Sequence, residues 1–221
     1  MAWLIAVIAL IILYMWLAYI GNKASEVDWG GPFINWIDGF GRLLCKYLHR
    51  LPDTKIPLPE QGAAIVVSNH VSGLDPFILI AACHRPLRFL IAREQYERPI
   101  LHWLFKASGC IPVDRSGKPE LALRQALRAL ESGEVLALFP HGKIHLDSDL
   151  PRKLKGGAVR LSAWTQTPIY PVRIDGVGGE GKEALAAFIP SHIKFIMTQA
   201  FVCDKDEIKE ILERVRKAIE K

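Results

Sequence analysis

The stretch that decides the fold is "IVVSNHVSGLDPF", residues 65–77. A run of β-branched residues, which favours an extended chain, stops at Asn69-His70. Asp75 follows His70 by five positions and stands beside Pro76. The pattern reads as a buried strand, a polar turn and the start of a helix. Asp followed by Pro is a favoured N-cap and N1 pairing, so one role for Asp75 is to cap a helix that begins at Pro76. A second role is to fold back on His70, hold one ring tautomer and stabilise an imidazolium. The two roles are compatible.

Outward from this stretch, strand and helix patterns alternate. Strands are predicted at 63–68, 87–92, 110–113, 134–139, 168–174 and 192–198, and helices at 76–83, 97–107, 118–132, 154–165 and 205–220. Short, continuously apolar strands between helices predict an α/β fold with a mostly parallel sheet flanked by helices. In such sheets, ligands bind beyond the carboxyl ends of strands. Three strand ends carry polar clusters: Asn69, His70 and Asp75; Asp114 and Arg115; and His141, Gly142, Lys143 and His145. On this fold they share one rim. There is no internal repeat and no low-complexity tract.

The chain has 221 residues, enough for one domain with a sizeable core and an appended segment. Its net charge of +5 fits an anionic membrane, a phosphate-bearing substrate or nucleic acid. No nucleic-acid-binding motif is present, which sets that partner aside. The four cysteines, Cys45, Cys83, Cys110 and Cys203, are too far apart for a local metal knuckle or redox pair. They read as reduced, buried residues of a cytosol-facing domain, and no metal site is expected.

Residues 1–20, "MAWLIAVIALIILYMWLAYI", carry no charged side chain. As a helix the run is about 30 Å long, enough to cross a hydrocarbon core. Trp3, Trp16 and Tyr19 suit interfacial positions. A cleaved signal peptide fits less well: no Lys or Arg precedes the run and no clean small-x-small site follows it. A helix buried in the domain is a further alternative. Lys23 comes directly after the run, so the positive-inside bias places the main domain in the cytoplasm, at the cytoplasmic (inner) membrane. Spanning and one-leaflet insertion read alike. Residues 33–51 look amphipathic, with Arg42, Lys46 and Arg50 on one face and Phe40, Leu44, Leu48 and Leu51 on another. The expectation is a helix lying basic-face-down on an anionic surface, or an ordinary surface helix. "LPDTKIPLPEQG", residues 51–62, reads as a linker. The organisation expected is therefore a membrane helix in 1–22, a surface helix and linker in 23–62, and an α/β domain in 63–221.

Histidine is the usual general base near neutral pH. No Gly-x-Ser-x-Gly elbow exists, and Ser72 is not a convincing nucleophile. His70 would then activate a substrate hydroxyl directly, which means group transfer onto an alcohol. Arg115 and Lys143 follow strands and have Gly117 and Gly142 nearby. Cationic side chains beside approachable backbone N–H groups suit a phosphate, although solvated surface charges are the alternative for each.

These blocks together resemble the glycerophospholipid acyltransferase family, of the lysophosphatidic acid acyltransferase type. "SNHVSGLDPF" resembles its Asn-His-x4-Asp block, "GCIPVDR" its Gly-x-x-Phe-Ile-Asp-Arg block and "LFPHGK" its Phe-Pro-Glu-Gly-Thr-Arg block. "KGGAVRLSAWTQTPIYPVRI" resembles the stretch that ends in the fourth block. Order and spacing agree over residues 60–175. The resemblance implies a membrane-bound enzyme that moves an acyl chain from acyl-CoA or acyl-carrier protein to a lysophospholipid hydroxyl in phospholipid biosynthesis, with no cofactor. It implies His70 as base, Asp75 as its partner and Arg115 on the acceptor phosphate, with His141, Gly142 and Lys143 also at the acceptor.

The third block departs from the family. His141 stands for its Glu, Lys143 for its Thr and Ile144 for its Arg. Transfer chemistry survives these changes, but the acceptor is open: lysophosphatidic acid, another lysolipid, or another lipid alcohol or amine. His141 is expected to turn cationic near pH 6 and add to the phosphate grip. An inactive membrane-anchored lipid-binding protein and a His/Asp hydrolase of lipid esters are the rival readings.

Overall fold

The structure is a computed structural model that describes residues 2–115, 117 and 119–220. Met1, at the start of the apolar run, and Lys118, the expected first residue of the 118–132 helix, lie outside the described residues.

The strands are β1 (Ala64–Ser68), β2 (Leu87–Ala92), β3 (Ile111–Val113), β4 (Val135–Leu138), β5 (Ile169–Asp175) and β6 (Lys194–Met197). They form one sheet in the order β3-β2-β4-β1-β5-β6. All neighbours pair in parallel except β6, which runs antiparallel to β5 at the edge. The mostly parallel sheet expected from the continuous apolar runs is present. β1 lies near the middle and all five of its residues are buried. Successive side chains point to opposite faces, so Ala64 and Val66 enter one core cluster while Ile65 and Val67 enter the other.

The helices are α1 (Ala2–Ala24), α2 (Pro32–Tyr47), α3 (Asp75–Ala81), α4 (Arg93–Tyr96), α5 (His102–Ala107), α6 (Pro119–Glu131), α7 (Gly157–Thr165) and α8 (Ile208–Ile219). α2 and α3 supply Cys45, Ile78 and Leu79 to the first cluster. α6, α7 and α8 supply Ala126, Leu161 and Val215 to the second. Of the helix expected at 97–107 only the C-terminal part forms, as α5, and the short α4 ends before it begins. Pro99 is the cause: it has no N–H to donate and it disfavours helical geometry at Arg98.

α1 is long and apolar enough to cross a membrane and is almost wholly uncovered by the rest of the chain. It packs on α2 through glycines. A Cβ on Gly39 would lie 1.7 Å from the Gly21 carbonyl oxygen, so no other residue fits there. The Trp36 indole N–H donates to the Leu17 carbonyl at 3.2 Å.

α2 is oriented opposite to the expected basic face. Arg42 is 6% exposed and points inward. Its Nε donates to Asp38 Oδ2 at 2.7 Å, and its Nη atoms donate to the Ala81 and Cys83 carbonyls at 3.1 and 3.0 Å and to Glu26 at 3.1 Å. Those carbonyls lie at the C-terminal end of α3, where helix carbonyls lack partners and favour a cation. Arg50 lies beyond the end of α2 with a φ of 48°. Only Lys46 remains as an exposed cation on the helix. The outward stripe is apolar instead: Phe33, Leu44 and Tyr47 are exposed, with Ile37 and Phe40 half-buried between them.

Candidate active site

β1 delivers His70 to the rim, and Asn69 fixes where the strand stops. The Asn69 amide donates to the Ile174 carbonyl at 2.9 Å and accepts the Ile174 N–H at 2.8 Å, so a side chain continues the pairing with β5. The turn that follows is tied on both sides. The His70 carbonyl accepts the His145 N–H at 2.7 Å, the Val71 carbonyl accepts the Gly181 N–H at 2.8 Å, and the Gly73 N–H donates to the Lys182 carbonyl at 2.9 Å.

Asp75 is fully buried. Its Oδ2 accepts His70 Nδ1–H at 2.9 Å, the Val71 N–H at 2.7 Å and the Ser72 N–H at 2.9 Å, and its Oδ1 accepts the Ser72 hydroxyl at 3.0 Å. All four donors precede Asp75 in sequence. It therefore does not cap α3: the N-cap residue is Leu74, whose side chain makes no capping bond. The capping role expected from the Asp-Pro pair is replaced by one in which the carboxylate organises the turn before it. Ser72 is fully used as well, since its hydroxyl also accepts the Leu74 N–H at 3.1 Å.

With Nδ1–H directed at a carboxylate, His70 presents Nε2 as the lone-pair nitrogen, and no described residue bonds it. The ring stacks on Phe139 at 4.2 Å and 18°, which fixes its plane. No competing thiolate is at hand. The four cysteines are free and buried, and burial pushes the Cys45 and Cys83 thiols up to about 12. Among the described residues, no group of three His, Cys, Asp or Glu is placed to hold a metal ion.

The second and third polar clusters meet beside this pair. β4 runs next to β1, so Phe139 to Lys143 emerge alongside Asn69 and His70. Arg115 reaches over from the end of β3, donating to the Gly142 carbonyl and to Glu94 Oε1 at 3.3 Å. Arg115, His141, Gly142 and Lys143 line a cleft of about 290 Å³ together with Arg152, Lys153 and Lys155. The structure thus assembles the expected residues as a His70–Asp75 pair with a cationic cleft beside it.

His141 departs from its expected role. Its ring is buried, with Nε2 2.9 Å from Glu220 on the C-terminal side of α8 and the ring stacked on His145 at 4.5 Å. Burial pushes its pKa below the ordinary value, outweighing Glu220. Burial thus works against the positive charge expected there. The cations that sequence reasoning passed over are Arg152, Lys153 and Lys155. The run "RKLK" just before Gly156-Gly157 was the available signal.

Residues 53–175, more than half of the chain, match the sequence profile of a family described as Acyltransferase. The chain is 33% identical over 124 residues to N-acylphosphatidylethanolamine synthase of Arabidopsis thaliana, covering 52% of this chain and 43% of that protein. It is also 33% identical over 132 residues to a probable 1-acyl-sn-glycerol-3-phosphate acyltransferase of Mycoplasma pneumoniae, covering 56% and 49%. The chain spans about half the length of the curated relatives it matches. Among solved structures it is similar to the 1-acyl-sn-glycerophosphate acyltransferase PlsC of Thermotoga maritima, with a TM-score of 0.64 over 83% of this chain and 76% of that one. At 20% identity that likeness is one of fold. The profile match runs from before β1 to the end of β5 and so takes in the His70–Asp75 pair and the whole cleft around Gly142: the chain belongs to the acyltransferase family.

Proposed function

We propose that this protein transfers a fatty acyl chain from an acyl thioester, acyl-CoA or acyl-carrier protein, to the hydroxyl of a lysophospholipid, lysophosphatidic acid giving phosphatidic acid. The observation that carries the reading is the 2.9 Å contact from His70 Nδ1 to Asp75 Oδ2, with Nε2 left unbonded beside a cationic cleft. In the mechanism, Nε2 takes the proton of the acceptor hydroxyl as its oxygen attacks the thioester carbonyl. The C–S bond then breaks, and the thiolate leaves with the proton from the imidazolium. Asp75 stabilises the imidazolium between the two transfers. Arg115 and Lys143 hold the acceptor phosphate, with Gly142 giving it room.

α1 and the apolar outer stripe of α2 support attachment to the cytoplasmic membrane, with Lys23 keeping the catalytic domain on the cytoplasmic side. The working division is a membrane helix within 1–22, a surface helix and linker in 23–62, and a catalytic domain in 63–221.

The likeness to N-acylphosphatidylethanolamine synthase raises a second reading, acylation of an ethanolamine amine. The cleft disfavours it: five cations and no carboxylate line it among the described residues, a poor setting for an ammonium headgroup. The test is a labelled acyl thioester offered to a panel of lysophosphatidic acid, zwitterionic lysolipids and phosphatidylethanolamine. Transfer to lysophosphatidic acid that is lost in His70→Ala is expected. Preferential formation of an amide would select the second reading. Thioester binding without any product would leave a lipid-binding protein.

A further inference from the structure

The family's third-block arginine is missing here, and Ile144 stands in its place. The loop between β4 and α7 brings other cations to the same cleft, and Lys155 is the best placed. Its backbone N–H donates to the Pro140 carbonyl at 2.9 Å, which anchors the residue beside the end of β4. Its Nζ lies 2.6 Å from where a Cβ on Gly142 would sit. Arg115 donates to the carbonyl of that same Gly142. Two cations therefore converge on one glycine, whose φ of 72° and missing side chain make room for the end of Lys155.

Among the described residues, no carboxylate lines the cleft. Glu94 touches Arg115 at 3.3 Å but does not line the cleft. Partial burial, then the nearby Arg115 and Arg152 charges, pull the Lys155 ammonium below its ordinary value, and Glu94 opposes them only in part. An anion seated between Arg115 and Lys155 would reverse the like-charge contribution.

We propose that Lys155 is an acceptor-binding residue that closes with Arg115 on the phosphomonoester headgroup of the acceptor, above Gly142. The identity of the acceptor rests on the acyl-transfer reading, whereas the anion site does not. A phosphomonoester is the chemistry that fits, because it carries up to two negative charges and no attached cation. A choline or ethanolamine headgroup would place a positive group among Lys143, Arg152 and Lys153.

The experiment uses the full-length protein in detergent and has two arms. The first compares kcat/KM for a phosphomonoester lysolipid and its phosphocholine counterpart in wild type, Lys155→Met, Lys155→Arg and the remote control Lys46→Met. Lys155→Met should lower use of the phosphomonoester by about 10- to 150-fold, the range for a lost hydrogen bond to a charged group. The phosphocholine acceptor and the donor KM should change little, and Lys155→Arg should recover most of the loss. Equal losses on both acceptors, or a change confined to the donor KM, would overturn the proposal. The second arm needs no turnover. Lysines are ¹³C-methylated, Lys155 is assigned with the Lys155→Arg variant, and inorganic phosphate is titrated in. The Lys155 pKa should rise with phosphate, and a value that stays put at saturating phosphate overturns the site. A rise without transfer to any acceptor would uphold the anion site and reject the acyl-transfer reading.

Discussion

The Asp75 carboxylate reaches backwards along the chain, its Oδ2 2.9 Å from His70 Nδ1 and within 3 Å of the Val71 and Ser72 N–H groups. One buried group therefore sets the tautomer of His70 and holds the turn that positions it. Asp75→Ala would leave these donors without a partner, at about 1–3 kcal/mol for each one buried.

The expected result is that His70→Ala folds normally and transfers about 10²–10⁴-fold more slowly, the usual contribution of a positioned general base. Asp75→Asn keeps the shape and one acceptor oxygen, so it should fold but lose rate through loss of the charge facing the imidazolium. Asp75→Ala should instead melt at lower temperature. Thermal unfolding measured beside single-turnover rates separates the three. A folded His70→Ala protein with a near-normal rate would refute the mechanism.

Arg42 joins the α1–α2 hairpin to the helix that begins at Asp75. It contacts Asp38 on its own helix, Glu26 in the connection and the Ala81 and Cys83 carbonyls past α3. Arg42→Ala would strand the buried Asp38 carboxylate, and breaking a buried pair costs about 3–5 kcal/mol. Denaturant unfolding in detergent should show a loss of that order. Asp38→Asn combined with Arg42→Met should be less destabilised than Arg42→Ala, because no buried charge remains. Equal losses in the two proteins would mean that Arg42 acts through its carbonyl contacts alone.

What the sequence disclosed, and what it hid, divides along physical lines. Apolar runs such as Ile65–Val67 and Val135–Leu138 can only be buried strands here, so the sheet was legible. The five-residue spacing of His70 and Asp75 is local, so the pair was legible too. The direction of the Asp75 carboxylate was not, because the same Asp-Pro sequence serves a helix cap and a backward-facing turn. The inward turn of Arg42 was hidden for a different reason. Helical spacing says which residues share a face, and the Ala81 and Cys83 carbonyls that draw Arg42 in lie some forty positions away. Nothing local marks Lys155 as part of a site; the ends of β4 and β3 bring Gly142 and Arg115 beside it. The break at Pro99 was readable from the Arg98-Pro99 step.

The orientation of α2 changes what is expected at a membrane. With Arg42 turned inward and Phe33, Leu44 and Tyr47 outward, attachment through α2 is apolar. A protein lacking residues 2–20 should still float with anionic vesicles, equally at low and at high salt, because salt screens charge contacts and not apolar burial. Leu44→Asp with Tyr47→Asp in that truncated chain should abolish flotation. Release by salt alone would restore the basic face as the cause.

The last expectation concerns pH and two separate buried histidines, His141 and His49. His141 faces Glu220, His145 and Arg216, and burial nevertheless pulls its pKa below the ordinary 6.5. His49, between Ser191 and the Ala187 carbonyl, is depressed in the same direction by burial. Because both folded values lie below the unfolded one, the unfolded chain binds more protons than the folded one as pH falls below 6.5. Their contribution to stability is complete above that pH and is lost as pH falls through the lower folded values. His141→Gln removes one titrating ring and should flatten the fall in stability over that window. His49→Gln should do the same, and the double variant should flatten it further. Urea unfolding at a series of pH values from 7.5 downward reads this directly. The same titration carries the acceptor question: if His141 stays neutral, wild type and His141→Gln should gain no preference for a phosphate-bearing acceptor between pH 7 and 6. A gain in wild type that His141→Gln abolishes would mean that the ring charges after all and reaches the cleft.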